Sequence, residues 1–307
     1  MDNILNEKKK FIRHVLSNSP PGKINDLISD LKTLFGSSEN IIKYIEEIVS
    51  KYNEDNYKLI PIEDNEYVIT CKHSKRDDSY IHPKLKLLAS VNHLDKQVIE
   101  KTALNELNYP EQLEQYRKIC SDKLSEYVQR HYSKWSKIQT RNYPSVNIKS
   151  KSGLSVKCYS SVYASEHDDK FNLFFVICCD RYYLKNFHAS SWRSSWNVSF
   201  LTTDKDVHLK GTIDITLTYF EDANINLKTT KNFDKNVQVD NDIDTFATNI
   251  ISVIKECENA TVYDLNNFII NISEKLIKNT RRIIPFNGEK FNWKDTYEDF
   301  SNQIKLL

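Results

Sequence analysis

Apolar residues recur at helical spacing twice within the first sixty positions. After the breaker Pro20-Pro21-Gly22, one stripe is formed by Ile24, Leu27, Ile28, Leu31 and Leu34, and a second by Ile41, Ile45, Ile48, Val49 and Tyr52. These stripes predict a small helical bundle. From about Tyr57 to Tyr143 the pattern is less regular. Pro61, Pro83 and Pro110 interrupt it, and one helix-like stretch runs from Glu111 to His131, so a mixed subregion is expected. From Ser155 the period changes to two. Ile213, Ile215, Leu217 and Tyr219 alternate with Thr212, Asp214, Thr216 and Thr218, and Trp196, Val198 and Phe200 alternate with Asn197 and Ser199. That alternation predicts an antiparallel sheet with one face in the core.

Helical spacing returns from about Asp242 to Ile284, a length that suggests a bend or break near Asn259-Ala260. Leu265, Phe268, Ile269, Ile272, Leu276 and Ile283 lie on one side of it. A second row, Tyr263, Ile270, Ile277 and Ile284, repeats every seven residues on another. Two stripes fit a helix that packs on its own sheet and on a partner; they fit equally a helix buried twice within one subunit.

Composition removes several classes of function. At 307 residues and 39% hydrophobic, the chain has enough apolar material for a substantial core. The longest apolar run, Leu173 to Cys179, is far short of the roughly 18 to 20 residues of a membrane span. Residues Met1 to Lys10 are polar, unlike a signal peptide, so a cytoplasmic location is expected. The formal charge of +1 argues against nucleic acid as a partner. The cysteines Cys71, Cys120, Cys158, Cys178, Cys179 and Cys257 show no Cys-x-x-Cys pair and are expected to be buried and reduced, with the vicinal Cys178-Cys179 structural. Glycines at 22, 36, 153, 211 and 288 are too far apart for a phosphate-cradling loop. Histidines such as His131 and His188 are isolated from any partner at metal-ligand spacing. Asp240, Asp242 and Asp244 imitate the start of a calcium loop, yet Thr245 and Ile251 stand where it needs Gly and Glu; an acidic helix start is the better reading. No catalytic residue, metal site or cofactor site emerges, and the chain is not expected to be an enzyme.

A local concentration of charge remains. Between Glu274 and Lys294, Lys275, Lys278, Arg281, Arg282, Lys290 and Lys294 face two acidic residues, giving +4 in a nearly neutral protein. Such a run compensates a helix dipole or forms a basic binding platform. After Pro285 and Gly288, Asn292 can cap a further helix on which Trp293, Tyr297, Phe300, Ile304 and Leu307 share a narrow arc. Ordering some fifteen residues costs about 1 to 2 kcal/mol each in backbone entropy. The strip therefore reads either as a helix that needs a groove to dock in or as a terminal helix folded back on its own core.

Seven ordered segments, spread over nearly the whole chain, resemble the alpha subunit of the heterodimeric F-actin capping protein. They are Phe11-Ile12-Arg13-His14 with Pro20-Pro21-Gly22 and Asn25-Asp26; Tyr52-Asn53; Asn92-His93-Leu94; Tyr127-Val128 with His131-Tyr132; Asn186-Phe187 with Trp192-Arg193-Ser194-Ser195-Trp196; Tyr219 to Leu227; and Arg281-Arg282, Pro285 and Lys290 with Asn292-Trp293. The resemblance implies an α+β subunit. Its parts would be a helical stalk (1-56), a mixed globule with a connecting helix (57-150), an antiparallel sheet (151-235), a long helix over the sheet (236-284) and an amphipathic C-terminal tentacle (285-307). It implies calcium-independent capping of the barbed end of actin filaments in the actin cytoskeleton, without cofactor, as a heterodimer with a beta subunit whose sheet continues this one. A homodimer mimicking that heterodimer is the alternative assembly. Carried onto this chain, the actin contacts are Lys275, Lys278, Arg281, Arg282 and Lys290, with the tail anchors Trp293, Tyr297, Phe300 and Ile304. The alternative function is a phosphoinositide-binding, actin-associated scaffold with weak or no capping, using the same cations.

Overall fold

The computed structural model describes residues 2–19, 23–36, 38–63, 66–104, 109–136, 154–183, 188–219, 225–240 and 242–279. The chain divides into two units, 1–254 and 255–307. It is an α+β protein of five helices and three antiparallel sheets among the described residues.

Helices α1 (Asp2–Ser17), α2 (Ile24–Phe35) and α3 (Glu39–Asp55) pack around Ile12, Leu16, Ile24, Ile28, Leu31, Ile45, Ile48, Val49 and Tyr52. These include most of the residues of the two stripes seen in the sequence; the breaker Pro20–Gly22 lies outside the described residues. Tyr52 is the tie rod of this layer, because its hydroxyl donates to the Ser19 carbonyl at 3.1 Å. α3 ends where Asn56 turns both its backbone N–H and its side-chain amide onto the Tyr52 carbonyl, at 3.0 and 2.9 Å. Tyr57 then takes a left-handed conformation, φ 46°.

The irregular middle of the sequence resolves into short strands. β1 (Lys58–Glu63) and β2 (Glu66–Thr70) form a hairpin, while β3 (Lys75–Arg76), β4 (Ser79–His82), β5 (Leu87–Asn92) and β6 (Gln97–Ala103) form a four-stranded sheet in that order. Two irregularities blurred their pattern in the sequence. The register shifts at Pro61/Glu63 and at Ser90/Val91, and the turns use Asp77, Lys86 and Lys96 at positive φ in place of glycine. α4 (Glu111–Ser136) follows, one turn longer than its sequence pattern indicated.

The main sheet has the order β11-β10-β9-β8-β7, built from β7 (Leu154–His167), β8 (Lys170–Tyr183), β9 (His188–Phe200), β10 (Asp206–Tyr219) and β11 (Ile225–Gln238). Register places Val162, Phe175, Trp196 and Gly211 in one row across four strands, with Ile177, Ser194 and Ile213 in the next. All seven of these residues are buried. On the opposite face Thr212, Asp214, Thr230 and Asn232 form a wet ladder joined by Thr212–Asn232 (3.0 Å) and Thr230–Asp214 (2.5 Å) hydrogen bonds. The predicted alternation holds for β10 from Thr212 to Ile215 and fails at Thr218, which is only 1% exposed. The row has one steric requirement. Trp196 lies flat on Gly211, where a Cβ would come within 2.0 Å of the indole ring.

α5 (Ile243–Asn279) is one continuous helix through Asn259 and Ala260, where a bend or break was expected. Ala260 is the best of helix formers, and the Thr261 hydroxyl turns back to the Cys257 carbonyl at 2.8 Å instead of opposing the helix. Asp242 caps its start, accepting from the Thr245 backbone (2.9 Å) and hydroxyl (2.6 Å), and those bonds hold its carboxyl below the usual range. The first turns dock by Phe246, whose ring lies 4.7 Å from Phe200 and 5.2 Å from Tyr116.

Gly211→Ala is expected to destabilise the protein by about 1 to 3 kcal/mol or more, since the clash is with a packed ring and cannot relax into solvent; urea titration followed by fluorescence checks it. Lys86→Gly is expected to do the reverse. Lys86 is exposed at φ 50°, and removing the left-handed penalty of roughly 1 to 2 kcal/mol outweighs glycine's extra unfolded-state entropy of about 0.5 to 1 kcal/mol.

Candidate functional site

Of the residues expected to contact a partner, Lys275 and Lys278 fall on the last turns of α5, with side chains outside the description. Arg281, Arg282, Lys290, Trp293, Tyr297, Phe300 and Ile304 lie outside the described residues altogether. The described portion of the same helix shows Tyr263 67% and Phe268 45% exposed. One residue from each of the two apolar rows thus faces solvent. A further open feature is β11, which has one strand neighbour, β10, and no other among the described residues. It offers fourteen residues of backbone edge.

A buried charge cluster fastens the main sheet to the elements packed on it. Arg193 on β9 donates to the Asn56 carbonyl (Nε, 2.6 Å), to the Trp192 and Cys179 carbonyls (Nη1, 2.9 and 3.1 Å) and to Asp180 Oδ1 (Nη2, 2.5 Å). Lys58 at the start of β1 stands 3.7 Å from the other oxygen of Asp180. All three are at most 8% exposed. Burial alone pushes the Asp180 carboxyl up, but the Arg193 and Lys58 charges outweigh it and hold the group below its ordinary value. Burial pulls Lys58 down despite Asp180. The cluster joins the main sheet to the end of α3 and to the β1–β2 hairpin, and the left-handed turn at Tyr57 is what aims the Asn56 carbonyl at the guanidinium.

Two further polar clusters share one design. Glu66 on β2 accepts from Lys84 and, at 2.7 Å, from Tyr159 on β7, while His82 Nε2 lies 3.1 Å from the Tyr159 hydroxyl. The Leu85 N–H donates to His82 Nδ1, so the ring proton sits on Nε2. Glu54 on α3 likewise accepts from Lys75 and Tyr80, both at 2.6 Å, and His93 Nε2 lies 3.1 Å from the Tyr80 hydroxyl. Asn53 donates to the His93 carbonyl at 3.0 Å. Burial lowers His82 and His93 below the ordinary imidazole value. It brings His73, stacked 4.1 Å from Phe174, down to about 4. Burial also opposes the ionisation of Glu54 and Glu66, yet their lysine and tyrosine donors keep both below the carboxylate norm. These groups are neutral imidazoles and paired carboxylates locked into the fold, an arrangement that serves scaffolding.

Sequence reasoning missed all three clusters as physical objects. Asn53, Asn92-His93 and Trp192-Arg193 stood out only through resemblance. A signal was nonetheless present: Asp180 closes the apolar run Leu173–Cys179, and Arg193 sits between tryptophans in a strand, both positions where a charge needs a partner. Among the described residues no group of His, Cys, Asp or Glu is placed to hold a metal ion, and no helix is long and apolar enough to cross a membrane.

Comparison with known proteins gives this scaffold its family. The sequence model of the F-actin capping protein alpha subunit matches residues 12–301. The F-actin-capping protein subunit alpha of Arabidopsis thaliana is 23% identical, over 95% of this chain and 90% of that protein. That of Saccharomyces cerevisiae is 26% identical, over 93% and 91%. Among solved structures, the homodimeric actin capping protein alpha subunit from Plasmodium berghei is 65% identical with a TM-score of 0.76, covering 86% of this chain and 93% of that one. The chain belongs to the F-actin capping protein alpha subunit family, a family of cytoskeletal, actin-capping proteins and not of enzymes.

Asp180→Asn is expected to cost about 3 to 5 kcal/mol, because it leaves the Arg193 and Lys58 charges buried without a counter-ion; the loss is read from urea midpoints. Acid should weaken the fold well above the carboxylate range. His73, His82 and His93 stay neutral in the folded protein, whereas the unfolded chain takes up their protons as pH falls through about 6.5. The stability they contribute is therefore complete above that value and lost below it, by about 1.4 kcal/mol per pH unit for each histidine until its own folded value is reached. Midpoints that stay constant from pH 7.5 to 5.5 would contradict this.

Proposed function

We propose that the protein caps the barbed end of actin filaments, independently of calcium, and blocks both addition and loss of subunits. The observation that carries this reading is the extent of the family match, 12–301, which runs through the basic segment and into the tail. Lys275, Lys278, Arg281, Arg282 and Lys290 steer the protein to an acidic actin surface, and Trp293, Tyr297, Phe300 and Ile304 supply a second, apolar anchor that slows departure. The mechanism is occlusion and needs no catalytic step. In this arrangement residues 1-56 are the stalk, 57-150 the mixed globule with its connecting helix, 151-235 the sheet, 236-284 the long helix over it and 285-307 the tentacle, in a protein of the cytoplasmic actin cytoskeleton.

The working form is a dimer, with a beta subunit or with a second copy of this chain. The 65% identity to a protein solved as a homodimer supports the second copy. The unpaired backbone of β11 and the exposed Tyr263 and Phe268 are the surfaces that a second sheet and subunit would cover.

Elongation of pyrene-labelled actin from preformed seeds tests the proposal, with the protein alone and with a beta subunit. Inhibition is expected in at least one condition, and charge reversal at Arg281 and Arg282 is expected to weaken it about tenfold or more, equivalent to about 1.4 kcal/mol. Undiminished elongation at saturating protein in both conditions refutes capping. If the protein instead floats with phosphoinositide-containing vesicles, the scaffold reading replaces it.

A further inference from the structure

Cys158 on β7 and Cys179 on β8 are register partners, so their side chains stand side by side on the same face of the sheet. The turn that joins the two strands fixes what kind of pair they are. Asp168 and Asp169 form the whole loop and both have positive φ, 51° and 58°, which is a two-residue type I′ turn. The residues flanking such a turn, here His167 and Lys170, exchange both backbone hydrogen bonds. From there the register runs to Leu154 and Tyr183 without a shift, and along an antiparallel ladder hydrogen-bonded and non-hydrogen-bonded pairs alternate strictly. Cys158 precedes His167 by nine residues, an odd number, so Cys158 and Cys179 form a non-hydrogen-bonded pair. In such pairs the Cα atoms approach to about 4.5 Å and the Cβ atoms to roughly 4.5 Å. A disulfide needs about 4.4 to 6.8 Å and about 3.5 to 4.5 Å respectively. The backbone already meets the requirement.

Three of the other four thiols differ in kind. Cys71 and Cys178 are buried beneath the β1–β2 hairpin on the opposite face, and Cys120 is buried on α4; burial pushes all three up and makes them poor nucleophiles. Cys158 departs from the expectation of buried thiols, being half-exposed, while Cys179 is 7% exposed.

We propose that Cys158 and Cys179 are a redox pair that a peroxide converts into a cross-strand disulfide. The Cys158 thiolate attacks one peroxide oxygen, giving a sulfenic acid at Cys158 and hydroxide, which leaves as water. The Cys179 sulfur then attacks the sulfenic sulfur, the S–O bond breaks, and a second water departs with the Cys179 proton. Two thiols are oxidised by two electrons, and one peroxide is reduced to two waters. The bond pins β7, an edge strand of the sheet, to the strand that carries Asp180. It lies one residue from the buried ion cluster, where the Cys179 carbonyl accepts from Arg193.

The test uses full-length protein treated with hydrogen peroxide, then blocked with an alkylating agent and digested with trypsin for mass spectrometry. A linked pair joining the peptide that begins at Cys158 to the peptide containing Cys179 is expected, with free thiols per chain falling from six to four and returning with dithiothreitol. A dithiothreitol-reversible rise in the thermal midpoint should accompany it. Cys178 shares the second peptide, so Cys178→Ser must keep the link and Cys179→Ser must lose it. Should Cys179→Ser fail to fold, fragmentation of the wild-type linked peptide between positions 178 and 179 decides the same point. The proposal is overturned if all six thiols survive, if Cys158 proceeds to sulfinic acid without a link, or if the crosslink joins Cys71 to Cys178 or two separate chains through Cys158.

Discussion

Burying a guanidinium is tolerable only when each of its nitrogens finds an acceptor and the charge a partner. Arg193 meets both conditions by drawing on three separate elements: the Asn56 carbonyl after α3, the Cys179 carbonyl and Asp180 carboxylate of β8, and the Trp192 carbonyl of its own strand. The helical layer, the hairpin and the main sheet therefore cannot shift against one another without stranding a charge. An apolar contact would tolerate sliding by a fraction of a residue; a forked donor does not. The tyrosine-histidine-glutamate clusters at Glu54 and Glu66 extend the same logic outward, tying α3 and β7 to the small sheet.

Legibility in the sequence followed local regularity. The stripes of α2 and α3 and the two-residue alternation of β9 and β10 were readable because each element repeats one period long enough to be recognised. The strands between Lys58 and Ala103 were not. They are four to seven residues long or shorter, two carry register shifts, and left-handed turns are made by Asp77, Lys86 and Lys96, where glycine would have announced them. The unbroken α5 shows the converse error. Length by itself suggested a break near Asn259, whereas local chemistry at Ala260 and Thr261 sustains the helix.

The residues by which the family is recognised and the residues assigned to its activity are largely different sets. Tyr52, Asn53, His93, Arg193 and Trp196 are interior fasteners, and their spacing in the chain is explained by which of them meet: Asn53 with His93, Trp196 with Gly211. Family membership could therefore be read across nearly the whole length, while the contact set rested on one segment of that resemblance together with charge and amphipathicity, both of which also have ordinary structural explanations.

The wet outer strand β11 has a consequence for the life of a single subunit before it meets its counterpart. A fourteen-residue edge, with the backbone groups of alternate residues turned outward, invites any passing extended chain. Here Lys228, Lys231 and Lys235 punctuate it, with asparagines and threonines between them, so a stranger that adheres must bring either negative charge or a matching register. An extended chain that brings neither is thereby discouraged from adding itself to the sheet.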